Sequence, residues 1–523
     1  MKKQILFFSL TLGISISNAQ EVSDAIRYSQ NNATGTARFR AMSGAFGALG
    51  GDLSALNVNP AGSVVFANNQ IAASLNNDYN SNESQYFRNK TDSDKNSFDI
   101  NQAGGVFVFE NNNSDWKKFS LALNYEKSAN FDNSIFSAGS SNNSIDQYFL
   151  NYANSNNGVP LNFIEVDVNL NETITSVFDY LSSNLPLQSA PNIFPFQAQQ
   201  AFLGYQAFVI DPVNFLPNNQ FYISNIPAGG NYNQTNSIET LGYNGKLTAN
   251  ISGQYQDKLM LGLNLNSHFA DYRRVSRFTE VNSNNTSTTN LIKSIGFNND
   301  LYTYGSGFSF QLGAIFKPIN QIRLGLAYQS PTWYNLNDEL RQSITAVTGN
   351  NSENFPRDIV DPNVIVIYEP YKLTTPAKLT SSFAYVIGKR GLISFDYSVR
   401  NFSGTTFRPK KDLFFSSLNN NIDANARQSA SEYNVGGEYK IKQFSLRGGY
   451  HFEQSPYKNS ETLGNLVGYS GGLGYNFGST KLDLAYTTSK RDYNQSFFAQ
   501  SPLNTARINN TNTNVVVTLS FEL

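Results

Sequence analysis

Apolar and polar residues alternate one by one along most of the chain after residue 70. Residues 119–126 run Phe-Ser-Leu-Ala-Leu-Asn-Tyr-Glu, and the stretches 259–266, 322–329 and 393–400 follow the same period of two. Side chains on a β-strand point to opposite faces in turn. Each stretch therefore predicts a strand with one apolar and one polar face.

Fourteen strand cores follow from this period. They are predicted at 70–79, 98–110, 118–128, 238–256, 259–279, 301–316, 322–329, 377–388, 391–402, 432–439, 444–452, 466–477, 480–490 and 510–523. The connections between them alternate between short turns and long stretches rich in Asn and Ser. With an even number of antiparallel strands, both ends of the chain lie on the side of the short turns.

A soluble sandwich also alternates, but two features favour a membrane barrel. Short turns on one side and long loops on the other are typical of outer-membrane barrels. The apolar faces also end repeatedly in an aromatic residue, as membrane-interface girdles do; these are Tyr125, Tyr255, Tyr328, Tyr385, Tyr439 and Tyr486. We therefore predict an all-β fold, a fourteen-stranded antiparallel transmembrane β-barrel over residues 69–523.

The first nineteen residues have the pattern of a secretory signal peptide. Lys2 and Lys3 precede an apolar stretch at 5–16, and Ser17-Asn18-Ala19 is a small-x-small cleavage site. Cleavage there leaves Gln20 first and removes two lysines, so the net charge falls from −1 to −3. The alternative is the apolar N-terminus of a soluble protein. An exported barrel places the protein in the outer membrane of a Gram-negative bacterium.

Composition excludes several kinds of chemistry. The chain has no Cys and only two His, so we expect no disulfide, metal site or cofactor. A net charge of −1 provides no basic surface for nucleic acid. His268 and His451 continue the polar faces of their strands, and no nucleophile motif such as GxSxG accompanies them. We expect no catalytic residue and no enzyme activity.

Residues 38–66 are too rich in Gly, Ala and Ser for a membrane strand. The apolar residues Phe46, Leu49, Leu53 and Leu56 lie three and four positions apart, which predicts short helical turns. The order Asn59-Pro60-Ala61-Gly62 predicts a stop before the next element, because Pro fixes φ and lacks an N–H. We predict a compact plug inside the barrel, within an N-terminal unit at 20–68.

The connection at 129–237 is the longest in the chain. It contains apolar clusters at 193–196 and 201–205, and the stretch 173–185 has helical apolar spacing. A loop that only carries water needs no such apolar surface. We expect a small folded cap over the outer mouth of the barrel.

Several motifs resemble the outer-membrane long-chain fatty acid transporters of the FadL/TodX type. They are Asn59-Pro60-Ala61 in the plug, Gly-Leu-Ala-Tyr-Gln-Ser-Pro-Thr-Trp at 325–333, Thr-Thr-Pro-Ala-Lys-Leu at 374–379 and Leu-Arg-Gly-Gly-Tyr at 446–450 with Ser455-Pro456 after it. The connection at 129–237 is longer than expected for the family. The last residue, Leu523, stands where such barrels usually have Phe.

The resemblance implies passive uptake of hydrophobic compounds, most of all long-chain fatty acids. The solute is captured at the outer surface, passes the N-terminal hatch and leaves sideways through an opening in the wall. The partners implied are the hydrophobic ligand, outer-membrane lipid, lipopolysaccharide and the barrel-assembly machinery. Asn59, Pro60 and Ala61 correspond to the hatch motif. Gly50 and Gly51 either let the hatch move or only let it pack tightly.

Three further groups of residues are candidates for ligand contact. Phe46, Leu49, Leu53, Leu56 and Phe66 either line an apolar path or form the plug's own core. Trp333 and Tyr334 follow the seventh predicted strand at the outer rim, where they contact a ligand or anchor the membrane interface. Arg273, Arg274 and Arg277 form a basic cluster that pairs with a carboxylate headgroup or with lipopolysaccharide phosphates, or is simply solvated.

Other functions stay open at the level of the sequence. A surface binding protein or adhesin would use the barrel only to display its long loops. Haem or aromatic compounds are alternative ligands, and a TonB-driven receptor would need a longer chain. The Gly-rich strand at 467–477 is a candidate for a bulge that opens the wall.

Overall fold

The computed structural model describes residues 22–30, 34–111, 113–183, 193–284, 291–350, 352–498 and 505–523. The predicted signal peptide at 1–19 lies outside the described residues. The strands are β1 (Gln70–Tyr86), β2 (Asn89–Glu110), β3 (Trp116–Asn130), β4 (Asn133–Ser141), β5 (Ile210–Pro212), β6 (Tyr222–Ser224), β7 (Tyr232–Tyr255), β8 (Leu259–Asn282), β9 (Leu291–Phe316), β10 (Ile322–Gln329), β11 (Trp333–Gly349), β12 (Asp358–Val360), β13 (Val366–Ile367), β14 (Tyr371–Thr374), β15 (Lys378–Ile387), β16 (Gly391–Arg400), β17 (Thr406–Arg408), β18 (Ala430–Ile441), β19 (Phe444–Glu453), β20 (Leu466–Asn476), β21 (Thr480–Gln495) and β22 (Ala506–Glu522).

The helices lie before and between these strands. The α-helices are α1 (Val22–Arg27), α2 (Ala37–Ala41), α3 (Asp146–Asn154), α4 (Leu161–Ile164), α5 (Ile174–Ser183), α6 (Pro195–Gln206) and α7 (Leu413–Asn425). Short 3₁₀ helices occur at Ser54–Asn57, Pro60–Val65, Val168–Leu170 and Phe402–Gly404. No helix in the described part of the chain has the length and apolarity needed to cross a membrane.

Fourteen of the strands close into an antiparallel barrel, in the order β1, β2, β3, β7, β8, β9, β10, β15, β16, β18, β19, β20, β21, β22. The ring is completed by β22 against β1, with Gln70 opposite Glu522 and Gln85 opposite Arg507. Closure leaves no strand at a free sheet edge, as a membrane-spanning sheet requires. The predicted fold class is confirmed.

The two faces of the barrel wall differ in polarity. On β8, Leu261, Leu265 and Phe269 are exposed on the outer face, whereas Asn264 and Asn266 are buried on the inner face. An apolar exterior and a polar interior are what a lipid-embedded barrel with a filled lumen requires.

Several predicted loops are instead extensions of the strands. The first long loop, expected between residues 79 and 98, is a continuous hairpin of β1 and β2 with a two-residue turn at 87–88. The strands β8 and β9 also run on past the predicted limits, as do β21 and β22. In the extensions of β1 and β2 both faces are polar, so the apolar alternation of the lower parts is absent there. The outer part of β9 instead packs Ile292, Ile295 and Phe297 into the buried cluster of the cap.

Two strands continue after an interruption. The predicted seventh strand ends at Gln329 as β10, but the chain resumes as β11 at Trp333 and pairs again with β9. In the same way β4 continues β3 and pairs with β7.

The Gly-rich strand β20 pairs regularly with both neighbours, so the bulge for which 467–477 was a candidate is absent.

The connection at 129–237 folds into helices above the barrel. The helix α5 corresponds to the predicted helical stretch at 173–185. Its Phe178 packs with Phe149 and Phe202 in a buried apolar cluster. The carboxylate of Glu280 on β8 accepts hydrogen bonds from the backbone N–H of Ile145 (2.9 Å) and fixes the start of this unit to the wall.

Candidate functional site

Residues 34–66, called the N-terminal segment below, cross the interior of the barrel. The segment contacts inner-face side chains on strands around the whole ring. The backbone N–H of Ala37 donates to Thr518 Oγ1 on β22 (2.7 Å), and that of Gly47 donates to Asp396 Oδ2 on β16 (2.9 Å). Ser63 Oγ lies 2.6 Å from Ser252 Oγ on β7. The segment is therefore surrounded by the wall.

The motif Asn59-Pro60-Ala61 starts a helical turn instead of ending one. Asn59 caps the 3₁₀ helix Pro60–Val65, since its Oδ1 accepts from the N–H of Ala61 (3.1 Å). Its Nδ2 donates to the backbone oxygens of Gly47 (2.7 Å) and Ala314 (3.0 Å). The chain does stop before its next element here, since one 3₁₀ turn ends at Asn57 and the next begins at Pro60, where Pro fits the first position of a helix. Asn59 joins two turns of the segment to β9.

The barrel wall has glycine at six inner-face positions where the N-terminal segment packs closest to it. A Cβ at any of them would collide with the segment; they are Gly262, Gly313, Gly325, Gly436, Gly449 and Gly472. At Gly436, for example, the Cβ would lie 2.6 Å from the backbone oxygen of Met42. We call this set the glycine belt. It gives the segment its close fit to six different strands.

A buried ionic network fixes the start of the segment. Arg38 Nε lies 3.0 Å from Glu438 Oε2, and Arg447 Nε lies 2.7 Å from the same oxygen. Arg447 also donates through Nη1 to Asp483 Oδ1 (2.6 Å). The charges therefore alternate along the network, and each has an opposite neighbour.

Gly50 and Gly51 lie side by side with positive φ angles of 62° and 66°. Residues with a Cβ rarely adopt this conformation, so the tight turn requires glycine here. The N–H of Gly51 donates to the oxygen of Gly62 (3.0 Å), and the Cα of Gly50 closely approaches Gly62. The two glycines thus pack the turn against the helix that follows Asn59.

The five apolar candidates of the segment are buried in its contacts with the wall. Phe46 and Leu49 share a cluster with Phe39 and Met42, and the remaining three, Leu53, Leu56 and Phe66, pack against Ala72, Val106 and Ala122 on the first three strands. None of the five is among the described residues that line the main cavity. In this conformation they form a core.

The main cavity has a volume of about 770 Å³ and lies between the segment and the outer end of the barrel. One part of its lining is apolar and aromatic, with Phe131, Tyr272, Phe414, Leu463 and Phe498. Another part is polar and includes Arg40, Asn76, Asp78, His451, Thr487, Arg491 and Asn514. Its volume is in the range of sites that enclose a small organic molecule. The lining suits an amphipathic one.

Arg40 supplies a buried positive charge to the polar part. The residue is 5% exposed, and its Nη2 donates to Thr487 Oγ1 (2.6 Å). Among the described residues its Nε has no hydrogen-bond partner. Burial lowers the pKa of Arg40 to about 10, so the guanidinium stays cationic at neutral pH. An unpaired donor of this kind favours an anionic group beside it.

The ladder between β2 and β3 ends partway along the wall. The last backbone pair is Gln102 with Glu126, and past it no ladder joins these two strands within the described residues. Side chains span the interval instead: Lys127 pairs with Asp99, and Asn130 Nδ2 donates to Ser97 Oγ (2.9 Å). We call this interval the wall gap. Its residues Asn101, Lys127, Ala129 and Asn130 also line the main cavity.

The wall gap lies at the level of the apolar belt. Phe98 and Ile100, next to it on β2, are 68% and 60% exposed on the outer face. Such exposure of large apolar side chains fits contact with lipid. The wall gap therefore lies beside the main cavity and at the height of the bilayer's hydrocarbon layer.

The N-terminal segment holds both edges of the wall gap. On β2, Asn101 is the extra residue of a bulge, and its Nδ2 donates to the oxygen of Gly35 (2.7 Å). On β3, Glu126 accepts from Thr34 Oγ1 (3.0 Å) and from Asn57. A movement of the segment would thus change the contacts at the gap.

The structure separates the three arginines of the predicted basic cluster. Arg273 pairs with Asp300 on the outside of the wall (2.6 Å), and Arg277 is exposed on the same face. Arg274 lies between them on the opposite face and lines the main cavity. The three side chains therefore do not share one site, because neighbouring strand positions point to opposite sides.

Trp333 and Tyr334 do not lie in a loop at the outer rim. They begin β11 and point to opposite faces. Trp333 is exposed and stacks on Phe308, with centroids 6.4 Å apart, whereas Tyr334 is buried beside His268 and Tyr28. The interruption at 330–332 separates β10 from β11, so both residues follow the end of a strand in the sequence and yet begin a new one.

Sequence patterns did not identify Arg40, Asn101 or the wall gap. Arg40 stands out only as a charge within a stretch of small residues, and Asn101 has no local mark of a bulge. His268 and His451 do lie on the inner faces, as expected, where His268 Nε2 contacts Ser309 Oγ (2.8 Å). The missed features depend on pairing between strands.

Comparison with known proteins shows similarity to membrane transporters. Residues 219–522, more than half of the chain, match the family model described as outer membrane protein transport protein (OMPP1/FadL/TodX). A FadL homologue from Pseudomonas aeruginosa has a similar fold, with 12% identity, a TM-score of 0.50, and coverage of 94% of this chain and 99% of that one. The toluene transporter TodX from P. putida has 13% identity, a TM-score of 0.49 and the same coverage. No curated protein sequence matches the chain.

Proposed function

Since the chain belongs to the OMPP1/FadL/TodX family of outer membrane transport proteins, which carry hydrophobic compounds, we propose that it takes up long-chain fatty acids by passive diffusion. The N-terminal segment acts as the hatch, the main cavity holds the ligand, and the wall gap is the exit to the bilayer. A fatty acid then avoids crossing the polar outer leaflet. It enters the hydrocarbon layer, where its chain is soluble.

The position of the wall gap is the observation that carries this proposal. The ladder between β2 and β3 stops beside the main cavity and at the height of Phe98 and Ile100. A continuous ladder would block sideways passage, because its backbone hydrogen bonds would have to break. Side-chain contacts such as Asn130 to Ser97 need only a change of rotamer.

A hatch role for the N-terminal segment is supported by its contacts. The segment obstructs the lumen and holds Asn101 and Glu126 at the two edges of the gap. Asn59, Pro60 and Ala61 fix one of its turns to the wall, and Gly50 and Gly51 form the turn packed against it. Release of this turn would loosen the contacts at the gap at the same time.

The cavity lining favours an acid over a neutral hydrocarbon. A carboxylate beside Arg40 would satisfy its unpaired Nε, while Asp78 and Glu126 already lie within electrostatic range of the guanidinium. The acyl chain would then lie against Phe131, Tyr272 and Phe414. Toluene has no group to pair with a buried guanidinium, so it would leave this donor unsatisfied.

An uptake assay tests the proposal directly. Cells with and without the gene are given labelled oleate, labelled methyl oleate and labelled toluene, and initial uptake rates are compared. We expect the deletion to lower oleate uptake most. Equal oleate uptake in the two strains would overturn transport of fatty acids. If toluene uptake alone falls, the ligand is aromatic. Unchanged uptake of all three, with loss of binding to the cell surface, would favour a surface binding protein.

A further inference from the structure

A second, much smaller cavity of about 20 Å³ lies between the residues that follow α1 and the barrel wall. It is lined by Tyr28, Ser29, Ser128, Asn244, Lys246, His268, Gln329, Thr332, Tyr334, Thr375, Pro376, Lys378 and Arg400. This volume is enough for one water molecule or one monatomic ion, and too small for an organic ligand. We call it the small chamber.

The lining of the small chamber is strongly cationic. Lys246, Lys378 and Arg400 all contribute to it, and none of its described lining residues is Asp or Glu. Just outside, Glu432 pairs with Lys378 (2.7 Å) and Glu126 lies within electrostatic range of Lys246. Glu432 also lies within electrostatic range of Arg400, and a third carboxylate, Asp396, lies within range of Lys378. The carboxylates thus stand around the chamber, while the charges in its lining are all positive.

Several hydrogen-bond donors at the chamber have no partner in the described part of the chain. Lys246 is 6% exposed and its ammonium donates no hydrogen bond to any described residue. The hydroxyl of Tyr28, 4% exposed, and Nε of Arg400 are also unpaired. Buried donors without acceptors, such as the Tyr28 hydroxyl and Arg400 Nε, are costly.

One acceptor at the chamber is unpaired as well, the Oδ1 of Asn244. A half-turn of this amide would present its NH2 group at the same place, since the two ends of the amide have the same shape. Asn244 therefore fits an acceptor in the chamber equally well. The other donors cannot change roles, because an ammonium and a guanidinium only donate.

We propose that the small chamber binds one monatomic, monovalent anion of the size of chloride. Such an ion accepts from Lys246, Arg400 and Tyr28 together and lies in a lining whose charges are all positive. A metal cation is disfavoured by the three basic side chains, and phosphate or sulfate is too large for the volume. The ion would also connect the wall to the N-terminal residues, since Arg400 Nη1 donates to the backbone oxygen of Ser29.

Anomalous diffraction from crystals of the full-length protein grown in sodium bromide tests the proposal. We expect a bromide peak in the small chamber of the wild-type protein and loss of that peak in Lys246→Met. The matched control is Lys481→Met, a lysine that pairs with Glu522 near the turn side and does not line the chamber. This control should keep the peak. A wild-type chamber without anomalous signal, holding water only, would overturn the proposal, and so would an equal peak in Lys246→Met.

Thermal unfolding gives a second measurement that needs no crystals of the variant. Wild-type protein and Lys481→Met should unfold at a higher temperature in sodium chloride than in sodium gluconate of equal ionic strength, because gluconate is too large for the chamber. Lys246→Met should show no difference between the two salts. Heat-modified migration on gels verifies that each variant has formed a barrel. Equal unfolding temperatures of the wild-type protein in both salts would contradict the proposal.

Discussion

Arg38 and Glu438 are 400 positions apart in the chain and meet inside the barrel, with Nε 3.0 Å from Oε2. The side chain of Glu438 is 1% exposed and also accepts from Arg447. The N-terminal segment is therefore fixed to the wall by a charge pair that is largely buried, since the Arg38 side chain is 21% exposed. Removing one partner of such a pair costs more than breaking an ion pair at the surface.

Arg38→Met should loosen the N-terminal segment without unfolding the barrel. Glu438 keeps Arg447 as a partner, so its negative charge stays paired within the wall. The segment loses its charged hydrogen bonds, which are worth about 2 kcal/mol. Hydrogen exchange of peptides from 35–66 should become about 30-fold faster, since about 1.4 kcal/mol corresponds to a factor of ten. The control is Lys481→Met, which removes a more exposed pair. Unchanged exchange in Arg38→Met would show that the pair does not hold the segment.

Asn59→Ala should release the turn that begins at Pro60. The change removes the helix cap and the two hydrogen bonds to Gly47 and Ala314, a loss of about 2–3 kcal/mol in segment docking. If the segment obstructs the lumen, cells with this variant should become more sensitive to large hydrophilic antibiotics. Asn68→Ala, which removes one exposed hydrogen bond to Glu522, should not change sensitivity. If both variants have the antibiotic sensitivity of the wild type, the N-terminal segment does not obstruct the lumen.

Gly436→Ala and Gly437→Ala should differ although the two residues are neighbours. The first adds a Cβ 2.6 Å from the oxygen of Met42, whereas the second places it 3.7 Å from the oxygen of Leu392, an ordinary contact. Overpacking in Gly436→Ala should cost about 1–3 kcal/mol of docking energy. Trypsin should then cut faster after Arg38 and Arg40. Similar cleavage rates in both variants would argue against the glycine belt as a docking surface.

Cross-linking across the wall gap should stop uptake. The chain has no cysteine, so the double variant Ser97→Cys, Asn130→Cys can be joined specifically by a short bis-methanethiosulfonate reagent. Oleate uptake should fall to the level of the deletion strain, and dithiothreitol should restore it, because only a movable gap allows sideways exit.

The matched control joins two residues on strands with an intact ladder. Thr235 and Thr279 face each other on β7 and β8, so the same reagent on cysteines at these positions should leave uptake unchanged. If the cross-link between 97 and 130 has no effect while mass spectrometry verifies its formation, the exit lies elsewhere.

Arg40→Met should lower oleate affinity about tenfold or more while binding of methyl oleate stays the same. The lost interaction is a hydrogen bond between charged groups, worth about 1.5–3 kcal/mol. The pKa of Arg40 is lowered by burial to about 10, so its charged form is present at neutral pH and is lost as pH rises through that value. Oleate binding measured by fluorescence should therefore be constant from neutral to mildly alkaline pH and weaken above pH about 10.

Arg390→Met, at an exposed turn, is the control for this series. It should bind both ligands like the wild type at every pH. Equal losses of oleate and methyl oleate in Arg40→Met would mean that Arg40 shapes the cavity and does not contact the carboxylate.

The alternation of apolar and polar residues was sufficient to predict the strands of the barrel within the membrane but not their extensions above it. Each of the fourteen strand cores was predicted because lipid outside and water or protein inside require a period of two. The outer extensions of β1 and β2 were missed because both of their faces are polar. That of β9 was missed because its apolar residues Ile292, Ile295 and Phe297 do not keep a period of two. The helix at 174–183 was visible from its spacing, since one face packs on the cap.

The sequence by itself thus determined the class of fold, the number of strands and the existence of a separate N-terminal segment, because these depend on residues close together in the chain. The tertiary structure alone decided the pairing of Arg38 with Glu438, the glycine belt, the unpaired Nε of Arg40 and the wall gap. Each of these depends on which strands become neighbours and in which register. In a closed barrel that register brings together residues hundreds of positions apart, and no local pattern contains it.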